Sequence, residues 1–348
     1  MVSPSDTLPW LVAPIRAALQ TRHAHALLLH GPQGVGQFEM ALTLAQAWVC
    51  EGPGGARPCG ACPACRLVQA RSHPDLLVLL PPALRESLGW EAAAGDADGA
   101  AAEKTSKAKP SKEIKVDAVR IAVAFAQTTS ARGRGKVIVL HPAERMNGIA
   151  ANTLLKTLEE PPGDARFVLS CAAPDALLPT IRSRCQAVPL RLPPTDEALA
   201  WLVAHGVSQP EVLLAATGGQ PLEALEWHRQ GIDAALWTRL PALVRRGDAA
   251  AVAGWPLALL VDALLKLCHD AACVAVGAAP RYFPSVSVSA GADAPSLVLW
   301  QRELQRVARH AEHAWNAGLM AESLMQQGAR ALGVAHAARQ GASVHSRP

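Results

Sequence analysis

No uninterrupted apolar run in the 348 residues is long enough to cross a bilayer. Residues 1–9 contain no basic stretch leading into an apolar core, so no secretory leader is expected. Charge of one sign is also scarce: 33 basic residues stand against 29 acidic ones, a net of +4. That is too close to balance to argue, by itself, for a nucleic-acid-binding surface. There is no internal repeat, which excludes a solenoid. These absences predict a cytoplasmic globular protein with no membrane partner. Half of the residues are hydrophobic and 18% are charged, enough for real cores. The length calls for two or three domains. In that compartment eight cysteines read as metal ligands or buried thiols rather than disulfides.

One further absence is chemical. Gly31, Pro32, Gln33, Gly34, Val35 and Gly36 follow an apolar run at 26–29 and open a helical pattern. This is the strand–loop–helix setting of a phosphate-binding loop, G-x-x-x-x-G-K-[ST]. Its glycines let backbone N–H groups approach a phosphate at a helix N-terminus. Its lysine neutralises the β- and γ-phosphates, and its hydroxyl holds Mg²⁺. Here Gln37 stands for the lysine and Phe38 for the hydroxyl. Gln carries no charge and Phe ligates no metal, so Gly31, Gly34 and Gly36 are left as a degenerate site, expected to be vacant or weak for nucleotide.

The rest of the first half alternates strands and helices. Helical periodicity runs over 36–49, and a Gly/Pro/Cys-rich loop over 50–65. Strands are predicted at 76–80, 136–140, 167–170 and 187–192, with helices at 116–127 and 149–158 and a short one at 179–184. Alternation of this kind predicts a parallel sheet with helices on both faces. Residues 83–112 are rich in Ala, Gly, Asp, Lys and Ser, and are expected to be a disordered insertion. After Pro193 and Pro194 the strands stop. Thr195 is expected to cap a helix whose first turn holds Asp196 and Glu197, and Ala/Leu-rich helices continue to about 338. A Pro/Ser/Gly loop interrupts them at 280–296, and the last ten residues form a tail.

Cys50, Cys59, Cys62 and Cys65 give C-x8-C-x2-C-x2-C. A C-x-x-C pair bites one ion from a tight turn, and four thiolates close a tetrahedral structural zinc site with no position open for catalysis. Free thiols or an iron–sulfur cluster are the alternatives. The second carboxylate site of an ATPase is absent: the strand at 136–140 ends in His141 and Pro142, and Glu144 comes two residues late. His141 reads as a polar strand cap rather than a metal ligand. Arg184 lies between a short helix and the last strand. It reads either as a surface ion pair or as an arginine reaching a neighbour's nucleotide. Lys112, Lys115, Arg120, Arg132 and Arg134 flank one helix and suit either a solvated face or phosphate contact.

Taken in order, residues 27–36, the four cysteines, His73-Pro74-Asp75, residues 115–120, 136–147 and 151–162, Ser183-Arg184-Cys185, Thr217-Gly218-Gly219 and residues 319–324 resemble one family. It is the delta-prime subunits of the bacterial DNA polymerase III clamp loader, within the AAA+ superfamily. The resemblance covers nearly all of the chain except 83–112 and 280–296. It implies α/β followed by all-α: an AAA+ P-loop parallel-sheet core over 1–192 with a zinc module at 50–65, a helical lid over 193–247 and a helical C-terminal collar domain over 248–338. It implies a five-subunit ring with tau/gamma-type motor subunits and a delta subunit, acting on a sliding clamp and primer–template DNA. It implies a subunit that does not hydrolyse ATP, with Arg184 of the family's S-R-C motif acting in trans on a neighbour's ATP. Five positions depart from the motor pattern: Gln37, Phe38, His141, Pro142, and the place after Gly218-Gly219 where Leu222 and Glu223 stand instead of a sensor arginine. An active motor ATPase, or a zinc-dependent nucleic-acid-binding module outside replication, are the competing readings.

Overall fold

The computed structural model describes residues 8–21, 24–53, 57–85, 87–90, 110–284, 288, 292, 294–310 and 315–333. Most of the expected insertion at 83–112, much of the loop at 280–296 and the tail at 339–348 lie outside these residues, as does most of the stretch read for a leader. The chain divides into two compact units, residues 1–197 and 198–348.

Five parallel strands form the sheet of the first unit: β1 (Ala26–His30), β2 (Leu76–Leu79), β3 (Val137–Leu140), β4 (Arg166–Cys171) and β5 (Gln186–Pro189). Their spatial order is β2-β3-β4-β1-β5. Leu28 of β1 pairs with Leu169 of β4 on one side and with Ala187 of β5 on the other. All four residues of β3 are buried, as a strand covered on both faces requires. The helices Val116–Gln127 and Gly148–Glu159 pack together, and Val119, Ala122, Leu154 and Leu158 join Ile138, Leu140 and Phe167 in one apolar cluster. β1 lies between β4 and β5, so the loop leaving its C-terminal end opens beside the ends of those two strands. Crevices at such points are where ligands sit in open α/β sheets.

Several element ends differ from expectation for local reasons. The cysteine-rich loop does not run to 65, because a helix Pro63–Gln69 begins inside it, with Pro63 in its first turn and the Cys62 sulfur accepting the Cys65 N–H at its cap. The short helix at 179 stops at Arg182 rather than 184. β5 ends at Pro189 rather than 192, with one further backbone bond from the Leu190 N–H to the His30 carbonyl at 2.7 Å. Residues 83–85 belong to a helical turn, Pro82–Arg85. The helix expected to be capped by Thr195 includes it, spanning Thr195–Ala204 with Asp196 and Glu197 in its first turn.

The second unit is helical, without a strand among its described residues. Trp237 stacks on Phe283 at 4.6 Å and lies 5.2 Å from Trp227, centroid to centroid. The buried Asp270 carboxylate accepts the N–H groups of Arg281, Tyr282 and Phe283, fastening the start of the loop to the helix Leu257–Ala275. The helix after that loop starts at Ala294, so the last three residues of the stretch expected to be loop are helical. Gly328 of the helix Ala317–Gly333 has no room for a Cβ, which would meet Val244 and Trp300. Trp237 and Leu240 share one buried cluster with Leu260, Trp300 and Leu324.

Candidate functional site

The loop after β1 keeps the geometry of a phosphate cradle and fills it from within. Gly34 and Gly36 have φ of 73° and 101°, the left-handed region that favours glycine. A Cβ on Gly31 would overlap the Leu190 carbonyl; one on Gly36 would come within 2.5 Å of Leu8 and 2.9 Å of Leu11. Gln37 is buried, and its amide nitrogen donates to the carbonyls of Gly31 at 2.8 Å and Pro32 at 2.6 Å. The group in the lysine's position therefore binds the loop itself. Trp10 donates its indole N–H to the Val35 carbonyl at 2.8 Å, so the segment before the first helix also closes on the loop.

The metal-binding corner is filled as well. Phe38 lies against His141, with ring centroids 4.8 Å apart and planes at 31°. His141 Nδ1 is 2.9 Å from Ser170 Oγ on β4. Burial brings the His141 imidazole down to about 4, which keeps the ring neutral near pH 7. Glu144 turns away from this corner and accepts the Ala172 N–H through Oε1 at 2.9 Å. The polar-cap reading of His141 fits these contacts, and no carboxylate partner joins it for a cation.

The four cysteines expected to bind a metal converge. All four Sγ atoms lie within 4.8 Å of one another. Cys50 and Cys62 are 3.9 Å apart, as are Cys59 and Cys65. A zinc ion with Zn–S bonds of 2.3 Å sets sulfurs about 3.8 Å apart, so the donor set fits zinc. Backbone N–H groups of Gly52 and Cys59 point at Cys50 Sγ, and those of Glu51 and Cys65 at Cys62 Sγ, each at 3.4 Å. Burial opposes ionisation of Cys62, but the amides of Cys65 and Glu51 outweigh it and bring the thiol to about 6. Burial, with the Cys62 thiol, pushes Cys65 up. Gly52 is a residue that spacing alone did not single out: a Cβ there would sit 2.8 Å from Cys59 Sγ.

The module is fastened to the sheet by charge. Glu51 takes a two-point hydrogen bond from Arg132, Nε at 2.7 Å and a terminal nitrogen at 2.9 Å, and this holds its carboxyl below the usual range. The next fixture is Asp75 of the His73-Pro74-Asp75 segment. Its fully buried carboxylate accepts from Ser130 Oγ and the N–H groups of Ala131 and Arg132, and pairs with Lys136 Nζ at 3.0 Å. Burial opposes the charge on Asp75; these donors outweigh it and hold the carboxyl below its usual range. Arg120 pairs with Asp117 at 3.0 Å. Of the basic residues flanking that helix, Arg120 and Arg132 are thus engaged within the chain.

Arg184 follows the short helix Pro179–Arg182. Its Nε donates to Glu159 Oε1 at 2.7 Å, a terminal nitrogen reaches the same oxygen, and the other terminal nitrogen donates to the Thr180 carbonyl at 2.8 Å. Arg182 pairs instead with Asp175 at 2.9 Å. Glu159 was not singled out by its sequence. A signal was there: Glu159 and Glu160 stand at the C-terminal end of a helix, where the dipole disfavours acids unless a cation answers them. Gly218 and Gly219 take φ of 68° and 92° to turn the chain into the helix Pro221–Arg229, which carries Leu222 and Glu223.

The comparisons with known proteins agree with this geometry. A family model described as DNA polymerase III, delta subunit, matches residues 13–194. A Pseudomonas aeruginosa protein named DNA polymerase III subunit delta' is 39% identical over 234 residues, covering 66% of this chain and 63% of its own length, a little under two thirds. The Escherichia coli protein of the same name is 32% identical over 286 residues, covering 76% of this chain and 78% of its own. A solved Thermotoga maritima protein related to the gamma subunit of DNA polymerase III covers 92% of this chain and 99% of that chain. Its 16% identity and TM-score of 0.48 are too slight to bear on the assignment. No helix of the described residues is long and apolar enough to cross a membrane. The match over more than half of the residues, together with the E. coli relative, means that this chain belongs to the DNA polymerase III delta-prime subunit family.

Proposed function

We propose that this chain is a catalytically silent member of a clamp-loader ring. It would sit with tau/gamma-type motor subunits and a delta subunit in a pentamer that places a sliding clamp on primer–template DNA. The observation that carries the silent reading is Gln37 bonded to the carbonyls of its own loop, where a motor needs a cation for phosphate. The Phe38–His141 contact supports it at the corner where Mg²⁺ would need a hydroxyl and a carboxylate. ATP binding by this chain is not expected.

Arg184 is the residue we assign to the shared reaction. Its guanidinium would reach ATP held by the adjacent motor subunit and stabilise charge developing on the transferred phosphoryl group. Cys50, Cys59, Cys62 and Cys65 would hold one zinc ion, which supplies a structural cross-link and no chemistry. Three parts serve these roles: the sheet core to 192, a helical lid after it, and a collar that holds the ring. The lid is taken as residues 193–247 and the collar as residues 248–338.

The test is ATP turnover by the reconstituted loader with clamp and primed DNA, comparing this chain with Arg184→Ala after both are shown to assemble. A fall of roughly tenfold or more is expected, less than the ~10³–10⁵ that an arginine finger supplies in the best cases, because other sites in the ring keep their own fingers. Unchanged turnover with an intact ring would return Arg184 to a surface ion pair.

A further inference from the structure

The placement of Glu159 against Arg184 carries a role that the arginine alone does not define. We propose that Glu159 is a positioning residue that presents the Arg184 guanidinium to the neighbouring subunit's nucleotide; this rests on the trans role given to Arg184 above. The two residues are 25 apart in sequence and come from different elements, the last residue of the helix Gly148–Glu159 and the turn after Pro179–Arg182.

A guanidinium carries five N–H donors in a fixed fork. Glu159 takes the Nε edge, through Nε at 2.7 Å and one terminal nitrogen. The Thr180 carbonyl takes the other terminal nitrogen at 2.8 Å, with Ser183 Oγ at 3.5 Å from it. These contacts fix the plane of the fork and still leave one N–H, on the terminal nitrogen that faces Glu159, for an incoming phosphate oxygen. Arg182, two residues earlier, pairs with Asp175, whose side chain is 94% exposed. The Arg184 side chain is 29% exposed and that of Glu159 46%, so the pair lies at the surface while most of the guanidinium is held. A long flexible cation acts in a neighbour's site only if it arrives oriented, and misplacement by about 1 Å can cost on the order of 100-fold in rate. Holding it before assembly removes that cost.

The experiment is ATP turnover by the reconstituted loader with clamp and primed DNA, for Glu159→Ala, Glu159→Gln, Arg184→Ala and the double variant Glu159→Ala/Arg184→Ala, with ring assembly verified for each. Glu159→Ala is expected to lower kcat by about 10-fold or more, with KM for ATP unchanged because the neighbour's own loop binds the nucleotide. Glu159→Gln keeps an oxygen for the Nε–H and is expected to restore most of the rate. In the Arg184→Ala background, Glu159→Ala is expected to cost nothing further, since two residues acting as a unit are non-additive. Full turnover by Glu159→Ala beside an impaired Arg184→Ala would overturn positioning and leave the trans arginine standing. The same is true of raised turnover, or of an equal loss in the Arg184→Ala background. Full turnover by Arg184→Ala would remove the arginine reading itself, and this proposal with it.

Discussion

Phe38 faces His141 across the corner of the degenerate loop, ring centroids 4.8 Å apart, and His141 in turn reaches Ser170 at 2.9 Å. Two residues that a nucleotide site would use for magnesium are here an apolar contact and a hydrogen-bonded neutral ring. Restoring the lysine is therefore not enough. Gln37→Lys is expected to bind ATP no more tightly than the parent chain in a fluorescent-nucleotide titration, because the metal corner stays filled. Gln37→Lys combined with Phe38→Thr and His141→Asp supplies all three groups, and is expected to bind measurably better than the single variant. Tight binding by Gln37→Lys alone would show that the corner is no obstacle.

His141 also sets a pH dependence. Its unfolded-state pKa is ordinary, 6.5, and burial lowers the folded value to about 4. Between those values the unfolded chain binds the extra proton, so stability rises with pH through this window. The contribution is complete above pH 6.5 and is lost progressively as pH falls toward 4. A His141→Asn variant lacks this titration. Its Tm is expected to fall less steeply between pH 6.5 and 4.5 than that of the parent, measured on metal-loaded protein in the same buffers. Parallel slopes would show that His141 does not supply the difference.

Removing a thiolate should empty the zinc site. Cys62→Ser, and Gly52→Val through steric pressure on Cys59, are both expected to reduce zinc well below one ion per chain in elemental analysis after gel filtration. The effect of Gly52→Val is the sharper test. It replaces no ligand and acts only if the Cys59 sulfur must stay where the structure places it.

Asp75 and Lys136 are a buried pair, with side chains 0% and 8% exposed. Breaking one side strands the other charge. Asp75→Ala is expected to destabilise the first unit by about 3–5 kcal/mol, seen as a lower urea midpoint. Lys136→Met should cost less, because Asp75 keeps its donors from Ser130, Ala131 and Arg132. Equal losses would mean that the lysine, rather than these donors, holds the carboxylate.

The sequence was most legible where one residue decides one interaction. The substitution of Gln37 and Phe38 into the phosphate loop, the cysteine spacing and the apolar strands could all be read directly, since charge, ligand type and periodicity act locally. The helix Val116–Gln127 has the bounds that its periodicity predicts. What could not be read depends on contacts between distant segments. Nothing near Gln37 says that its amide turns onto Gly31, nothing near Arg184 identifies Glu159, and Gly52 looks like any loop glycine until Cys59 is beside it. One end was missed where a proline starts a helix inside the cysteine-rich loop, at Pro63.

The crowding around Gly31 and Gly36 has a consequence for how such loops persist. Leu190 fills the space beside one and Leu8 and Leu11 the space beside the other. A chain with no nucleotide to bind would still reject a side chain at either place. The glycine spacing is thus retained by neighbouring hydrocarbon and a carbonyl, and its presence in a sequence testifies to the shape of a corner rather than to an occupant.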